Sequence, residues 1–419
     1  MALVLSLLRF DLLLAVSLVA AGVAQAKEKR DPFSPLTGPY PVGTTQYMWV
    51  DQNRPELYSS IPGDRRLVII QAWYPAQRDA ATRVKRARYL LSPVEFSGPA
   101  QDARKLHQIN RHVKTRSGLN APLAMDKDAY PVLIFNPGGG SSRFTSSFVT
   151  EQLASHGFIV LALEHLGDGM STHFPDGTPL NLDRVPSWRD PDFERRLKRG
   201  RAAADEIVRH IQADWAARER YFFTDAVRDS EFVLRRLEAG GLFANRLDLN
   251  RVGALGWSQG GATAIHLLVH HPMVRAAVDL DGQFFGSGKA TLKTAKPVML
   301  LHSTEATNAK TKDPQLALAE ARLNELIRSW NDFLMTYSTG PRYEAEVEGT
   351  DHGSFSDWRL FYSYSDKNQK NKAQERERLI THLTVTFFKK HLNGDSEVRI
   401  PMFDPLLINS KVLGVKDAQ

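Results

Sequence analysis

The feature that most constrains the fold is a short segment centred on Ser258. Residues 252–255 are apolar and predict a buried strand, and residues 259–269 carry apolar side chains at helical spacing. Between them lies Gly256–Gly260 (GWSQG), the G-x-S-x-G pattern of a sharp strand-to-helix turn that exposes a nucleophilic serine. The helix after such a turn directs its N-terminal N–H groups toward an anion formed beside the serine. The alternative is a structural turn serine, because the pattern alone also arises by chance in long chains.

Apolar runs that predict buried strands alternate with helical patterns along most of the chain. Strands are predicted at 66–74, 130–135, 158–163, 252–255, 275–280, 297–301 and 343–347, and helices at 144–155, 192–237, 259–269, 314–332 and 374–392. This alternation predicts an α/β protein with a mostly parallel sheet covered by helices on both faces. We expect a single domain over 27–419 with insertions near 76–128 and 185–240, either of which could form a lid. Residues 31–60 are expected to be a turn-rich lead-in, and 76–128 a polar, basic excursion outside the core.

The N-terminus has the pattern of a targeting segment. Residues 12–23 form an uncharged apolar run, and Ala24-Gln25-Ala26 is a small-x-small cleavage site. We therefore expect residues 1–26 to be a signal peptide and the mature protein to be secreted or periplasmic. An uncleaved anchor stays open as the alternative, because residues 1–8 are also apolar. The chain has no cysteine, which excludes disulfides, thiol catalysis and cysteine-ligated zinc.

The net charge of +7 is diffuse along the chain, and the densest basic runs are 85–88, 111–116 and 195–199. Such runs can contact an anionic lipid surface transiently, although a solvated, solubilising face is the favoured interpretation. They lack the interleaved aromatic residues of single-stranded nucleic-acid grooves. No nucleic-acid partner is expected.

Candidates for a catalytic acid and base follow Ser258 in the chain. Asp281 comes where the strand after the serine helix ends at Gly282, and His352 lies in a loop after the last predicted strand. Serine, then aspartate, then histidine at successive strand ends is the arrangement an acyl-transfer serine requires on an α/β-hydrolase sheet. Asp279 points the same way as Asp281 along the strand, so it stays open as the acid.

Other histidines compete with His352 for the role of base. His302 ends the strand at 297–301 and could approach the site, but a polar strand cap is the favoured role. His266, His270 and His271 lie on or just after the serine helix and are expected to be structural.

The oxyanion needs preorganised N–H donors. One is expected from the backbone of Gln259 and the other from the loop Gly138–Gly140, which follows the strand at 130–135. A flexible turn is the alternative for the three glycines. Glu164, His165 and Asp168 resemble metal ligands, but they stand isolated and a structural turn is favoured. No metal or cofactor is expected.

Several segments extend beyond any catalytic signature, and together they resemble the plasma-type platelet-activating-factor acetylhydrolase family of serine esterases. They are residues 38–43, 130–135, 154–160, 164–165, 249–263, 280–282 and 349–355. The resemblance implies an α/β-hydrolase fold, a triad of Ser258, Asp281 and His352, and an oxyanion hole formed by the backbone amides of Gly139 and Gln259. It also implies calcium-independent hydrolysis of short acyl chains at the sn-2 position.

The sequence departs from the family pattern close to the nucleophile. Pro137 stands where many members have histidine, Gly139 replaces a larger apolar residue, and Trp257 replaces the commoner histidine. These changes leave the backbone donors in place but alter the walls of the acyl pocket.

We expect a secreted serine carboxylic-ester hydrolase that acts on short or oxidised acyl esters, including the sn-2 ester of phospholipids, through an acyl-enzyme. Its partner is then a small-molecule ester or a phospholipid. A general esterase or lipase for simple esters or polyesters is the alternative enzyme. An inactive α/β-hydrolase fold used as a binding module is the alternative from another class.

Overall fold

The chain folds around one eleven-stranded sheet, seen in a computed structural model that describes residues 32–81, 83–97, 101–182, 190–282, 292–304, 313–362 and 367–415. The predicted signal peptide, 1–26, lies outside these residues. Within the described ranges, no helix is both long and apolar enough to cross a membrane.

The sheet is mostly parallel. Its strands are β1 (Val42–Pro55), β2 (Arg65–Pro75), β3 (Arg86–Arg88), β4 (Lys114–Leu119), β5 (Tyr130–Asn136), β6 (Ile159–Glu164), β7 (Leu247–Trp257), β8 (Val274–Leu280), β9 (Val298–Ser303), β10 (Arg342–Val347) and β11 (Leu407–Leu413). They lie in the order β11-β10-β9-β8-β7-β5-β6-β2-β1-β4-β3. Strands β6, β5, β7, β8, β9 and β10 run parallel, whereas β2 is antiparallel to both its neighbours and β11 is antiparallel to β10.

Helices cover both faces of the sheet. They are α1 (Arg78–Ala81), α2 (Gln101–His112), α3 (Ser147–Ser155), α4 (Pro191–Lys198), α5 (Ala204–Arg218), α6 (Thr224–Glu238), α7 (Gln259–His270), α8 (Pro314–Tyr337), α9 (Asp357–Tyr362) and α10 (Lys367–Leu392). Apolar side chains of α5, α6, α7 and α8 form one core cluster with the sheet, and those of α2, α3, α9 and α10 form a second. The predicted architecture of a mostly parallel sheet between helical layers is confirmed.

Two segments differ from the sequence-based expectation. Residues 42–55 form the long strand β1, whose backbone pairs with β2, although its Pro- and Gly-rich surroundings predict turns. The segment 76–128 is not outside the core. It supplies β3 and β4 to the sheet and buries Leu90, Phe96 and Leu106, because its few apolar side chains converge on the cluster beside α3.

Several predicted elements are also displaced at their ends. Helix α3 begins three residues later than expected, at Ser147, after turns that leave residues 144–146 non-helical. Helix α8 runs on to Tyr337, and α10 starts at Lys367. The start of α8 agrees with the prediction because Asp313 caps it, accepting the backbone N–H of Gln315 at 2.9 Å.

Candidate active site

Ser258 lies at the turn between β7 and α7. Its backbone has φ 57° and ψ −124°, a conformation that residues with a side chain rarely adopt. The chain can turn this sharply because a Cβ at Gly260 would lie 2.0 Å from the backbone oxygen of Asn136, and one at Gly256 would lie 2.2 Å from the backbone of Gly260. Only glycine allows the ends of β5 and β7 and the start of α7 to pack this closely, so these two residues permit the sharp turn at Ser258.

The side chains of Ser258, His352 and Asp281 form a continuous hydrogen-bonded chain. His352 Nε2 lies 3.0 Å from Ser258 Oγ, and His352 Nδ1 lies 2.6 Å from Asp281 Oδ2. The other oxygen of Asp281 accepts the backbone N–H of Ser303 at 2.7 Å. Burial alone would raise the pKa of Asp281, but these hydrogen bonds and the nearby histidine hold it below its usual value. The carboxylate is therefore ionised and oriented toward the imidazole.

Asp279, the competing acid, makes its side-chain hydrogen bond to Gly282 and not to His352. Its side chain is fully buried, and its Oδ1 accepts the backbone N–H of Gly282 at 2.7 Å. Its Oδ2 has no hydrogen-bond partner among the described residues. Burial raises the pKa of Asp279 to about 7. The structure thus brings Asp281, and not Asp279, to the imidazole.

His302 is occupied by partners on the neighbouring strands. Its Nε2 lies 3.2 Å from Glu344 Oε1, and Lys411 Nζ lies 2.9 Å from the other oxygen of Glu344. Burial acts to lower the pKa of His302, but the adjacent Glu344 outweighs it and raises the pKa. This group lines a groove of about 600 Å³ between α8 and strands β9 to β11, which Asp281 also lines. The remaining candidates lie on or after α7, where the ring centroids of His266 and His270 are 4.4 Å apart.

The loop Gly138–Gly140 and Gln259, the first residue of α7, both form hydrogen bonds with Asp168. Gln259 Nε2 donates to Asp168 Oδ2 at 2.5 Å, and the backbone oxygen of Asp168 accepts the N–H of Gly140 at 2.7 Å. Among the residues that the structure describes, the backbone N–H groups of Gly139 and Gln259 have no acceptor. Both are therefore available as donors. From the sequence, Asp168 is a candidate only for metal binding. Its hydrogen bond to Gln259 joins segments far apart in the chain, and no local pattern predicts it.

Glu164, His165 and Asp168, which resemble metal ligands in the sequence, form hydrogen bonds with different partners. Glu164 accepts from Arg143 at 2.9 Å and from Ser171 at 2.7 Å. The two ring nitrogens of His165 lie 3.1 Å from Asp229 and 3.1 Å from Asn136. Asp168 turns to Gln259 instead. The three side chains thus hydrogen-bond to different partners, as in a structural turn.

The comparisons with known proteins agree with the resemblance seen in the sequence. A family model described as platelet-activating factor acetylhydrolase, isoform II, matches residues 25–177. The platelet-activating factor acetylhydrolase of Cavia porcellus is 26% identical over 277 residues, covering 64% of this chain and 59% of that protein. The Bos taurus protein of that name is 27% identical over 305 residues, covering 68% and 62%. The chain thus spans about 60% of the length of these curated relatives.

The fold is also similar to that of a solved esterase structure. The ferulic acid esterase from Streptomyces cinnamoneus superposes with a TM-score of 0.59 at 22% identity, covering 86% of this chain and 93% of that one. At this identity the likeness concerns the fold alone, and it confirms the predicted α/β-hydrolase fold. The resemblance that the sequence motifs predict is also confirmed, since the chain is similar in sequence to proteins named platelet-activating factor acetylhydrolase.

Proposed function

We propose that this protein is a serine carboxylic-ester hydrolase that cleaves short or oxidised acyl esters, including the sn-2 ester of phospholipids, through an acyl-enzyme. The observation that carries the proposal is the hydrogen-bonded chain from Ser258 Oγ through His352 to Asp281, with distances of 3.0 and 2.6 Å. A serine hydroxyl is a weak nucleophile until a base accepts its proton, and the base needs a third group to orient it.

In the acylation step, His352 Nε2 takes the proton of Ser258 as Oγ attacks the acyl carbon. Asp281 holds the imidazole in the reactive tautomer and stabilises the imidazolium. The developing oxyanion accepts the backbone N–H groups of Gly139 and Gln259. His352 then gives its proton to the leaving alcohol as the ester bond breaks. In deacylation, water takes the place of the alcohol, and the acid is released.

The substrate class is proposed from the named relatives. They include a protein from Arthroderma benhamiae named a probable 1-alkyl-2-acetylglycerophosphocholine esterase, 24% identical over 174 residues. That name specifies an acetyl ester on a glycerophosphocholine, which is a short acyl group at the sn-2 position. The substrate is therefore a small-molecule ester or a phospholipid, and the chemistry requires no cofactor.

A fluorophosphonate probe tests the enzyme class directly. We expect the folded protein to be labelled on Ser258 and the Ser258→Ala variant to remain unlabelled. Absence of labelling in the wild type would contradict the proposal and favour a binding module.

Substrate range is tested by initial rates on p-nitrophenyl esters from acetate to palmitate, beside an oxidised and a long-chain phosphatidylcholine. We expect kcat/KM to fall with acyl length and the oxidised lipid to be preferred. Faster turnover of palmitate than of acetate would instead indicate a general lipase.

We also propose that the protein is exported and that residues 1–26 are removed. Mass spectrometry of the protein recovered from an exporting host tests this, with Lys27 expected as the first residue. Recovery of the full-length chain in the membrane fraction would indicate an uncleaved anchor instead.

A further inference from the structure

The indole of Trp257, the residue before the nucleophile, lies beside the imidazole of the base. Trp257 is the last residue of β7 and is 7% exposed. Its Nε1 donates a hydrogen bond to the backbone oxygen of His352 at 2.9 Å, and its ring centroid lies 5.2 Å from that of the imidazole. A Cβ on Gly138 would lie 2.9 Å from Trp257 Cε3, so the indole also fills the space beneath the glycine loop. One side chain thus contacts both the histidine loop and the glycine loop.

This hydrogen bond holds a part of His352 that the triad contacts do not. Asp281 and Ser258 bind the two ring nitrogens, whereas Trp257 binds the main chain. His352 lies at the start of a short 3-10 turn, His352–Phe355, in a loop that also contains Gly349 at φ 69°. The indole fixes the main chain of this loop to the same strand that carries the nucleophile.

We propose that Trp257 is a positioning residue for ester hydrolysis, acting by tethering the His352 backbone to β7. The inference rests on the proposed function. In that reaction Nε2 exchanges a proton first with Ser258 Oγ and then with the leaving group, and each transfer needs heavy-atom distances of about 2.6–3.2 Å. A displacement of the backbone lengthens both distances, so the tether acts on the chemical steps and not on substrate binding.

Two replacements separate the donor from the ring. Trp257→Phe removes the indole N–H and part of the ring, while 3-benzothienylalanine at position 257 keeps the bicyclic shape and replaces the N–H by sulfur. We expect both to lower kcat on p-nitrophenyl acetate about tenfold with KM within about twofold, because a displaced imidazole slows the proton transfers but leaves binding of the ester unchanged. Full activity of the protein with benzothienylalanine at position 257 would overturn the proposal. This protein keeps the bicyclic ring, so it still tests the hydrogen bond if Trp257→Phe folds poorly.

Trp73→Phe is the matched control. Trp73 is a fully buried indole on β2, and its Nε1 has no acceptor among the described residues. We expect this variant to keep kcat within about twofold of the wild type. An equal loss of kcat in Trp73→Phe and Trp257→Phe would mean that general core loosening, not the tether, lowers the rate, and would overturn the proposal.

A double-mutant cycle with His352→Ala shows whether Trp257 acts through the base. We expect Trp257→Phe to change the residual rate less than about twofold once the imidazole is absent. A tenfold loss in that background would overturn the tether. Failure of the proposed function itself appears separately, as a wild-type protein that the fluorophosphonate does not label on Ser258. An active wild type with unaffected Trp257 variants overturns the tether alone.

Discussion

Gln259 and Asp168 are joined by a 2.5 Å hydrogen bond that links the two proposed oxyanion donors. The backbone N–H of Gln259 is one donor, and the other belongs to Gly139, in the loop whose next residue donates to the backbone of Asp168 at 2.7 Å. A single aspartate therefore contacts both sides of the proposed oxyanion hole. We expect this contact to set the spacing of the donors, although among the described residues Asp168 hydrogen-bonds neither the nucleophile nor the base.

Replacing the amide at position 259 tests this link. Gln259→Leu keeps the backbone N–H but removes the bond to Asp168, so we expect kcat to fall about tenfold with KM nearly unchanged, because the oxyanion exists only in the transition state and intermediate. Steady-state kinetics on p-nitrophenyl acetate measure the effect. His270→Ala, at the exposed end of the same helix, is the control and should keep its activity. An unchanged kcat in Gln259→Leu would show that the link does not set the donors.

The choice of acid is tested by two matched substitutions. Asp281→Asn loses the charge that orients and stabilises the imidazolium, so we expect kcat to fall by roughly 10⁴-fold. Asp279→Asn keeps an oxygen for the N–H of Gly282, and we expect activity within about fivefold of the wild type. Measuring kcat of the two variants on the same ester shows which aspartate is the acid. The reverse ranking would make Asp279 the acid.

Asp279 also predicts a pH dependence of stability. Burial raises its pKa from 3.8 in the unfolded chain to about 7 in the folded protein. Between these values the unfolded chain has lost the proton that the folded protein retains, so this residue lowers the free energy of unfolding as the pH rises from about 4 to 7. Asp279→Asn lacks this effect.

We therefore expect the melting temperature of Asp279→Asn, relative to the wild type, to increase by about 3 °C between pH 5 and pH 8. Differential scanning fluorimetry measures it. Other buried carboxyls such as Asp357, whose pKa is also raised to about 7, are present in both proteins and cancel. A constant difference across this range would contradict the burial effect.

The base is tested by removing each candidate imidazole in turn. We expect His352→Ala to lose activity by roughly 10⁴-fold and to react slowly with the fluorophosphonate. His302→Ala removes one of the two partners of Glu344 and leaves Lys411 in place, so we expect activity within about fivefold of the wild type, with some loss of stability. If His302→Ala were inactive and His352→Ala active, the assignment of the base would be wrong.

Local pattern was sufficient for much of the fold. The central strands are continuous apolar runs, because both of their faces are covered, and such runs can be recognised without knowing the partners. The order of Ser258, Asp281 and His352 could also be read along the chain, since strand ends in a parallel sheet converge on one edge. Asp279 could not be separated from Asp281, because both belong to the same strand end and differ only in the turn that follows.

Contacts between distant segments could not be predicted. Strand β4 carries basic and hydroxyl side chains, and it is buried because Ser117 and Arg116 both bond Glu151 on α3. No single segment contains that information. The same holds for Trp257, whose hydrogen bond to His352 spans 95 positions of sequence. The sequence marks this residue as unusual, but the contact emerges only when β7 and the histidine loop meet.

The strained backbone of Ser258, at φ 57° and ψ −124°, lowers the stability of the fold at the residue that the proposed activity requires. A residue with a side chain pays about 1–3 kcal/mol to stay in such a region, whereas glycine adopts it freely. Ser258→Gly relieves that strain and abolishes the nucleophile in a single step. Selection for thermal stability alone would therefore favour loss of Ser258. Screens for more stable variants of this protein should measure ester turnover in every round.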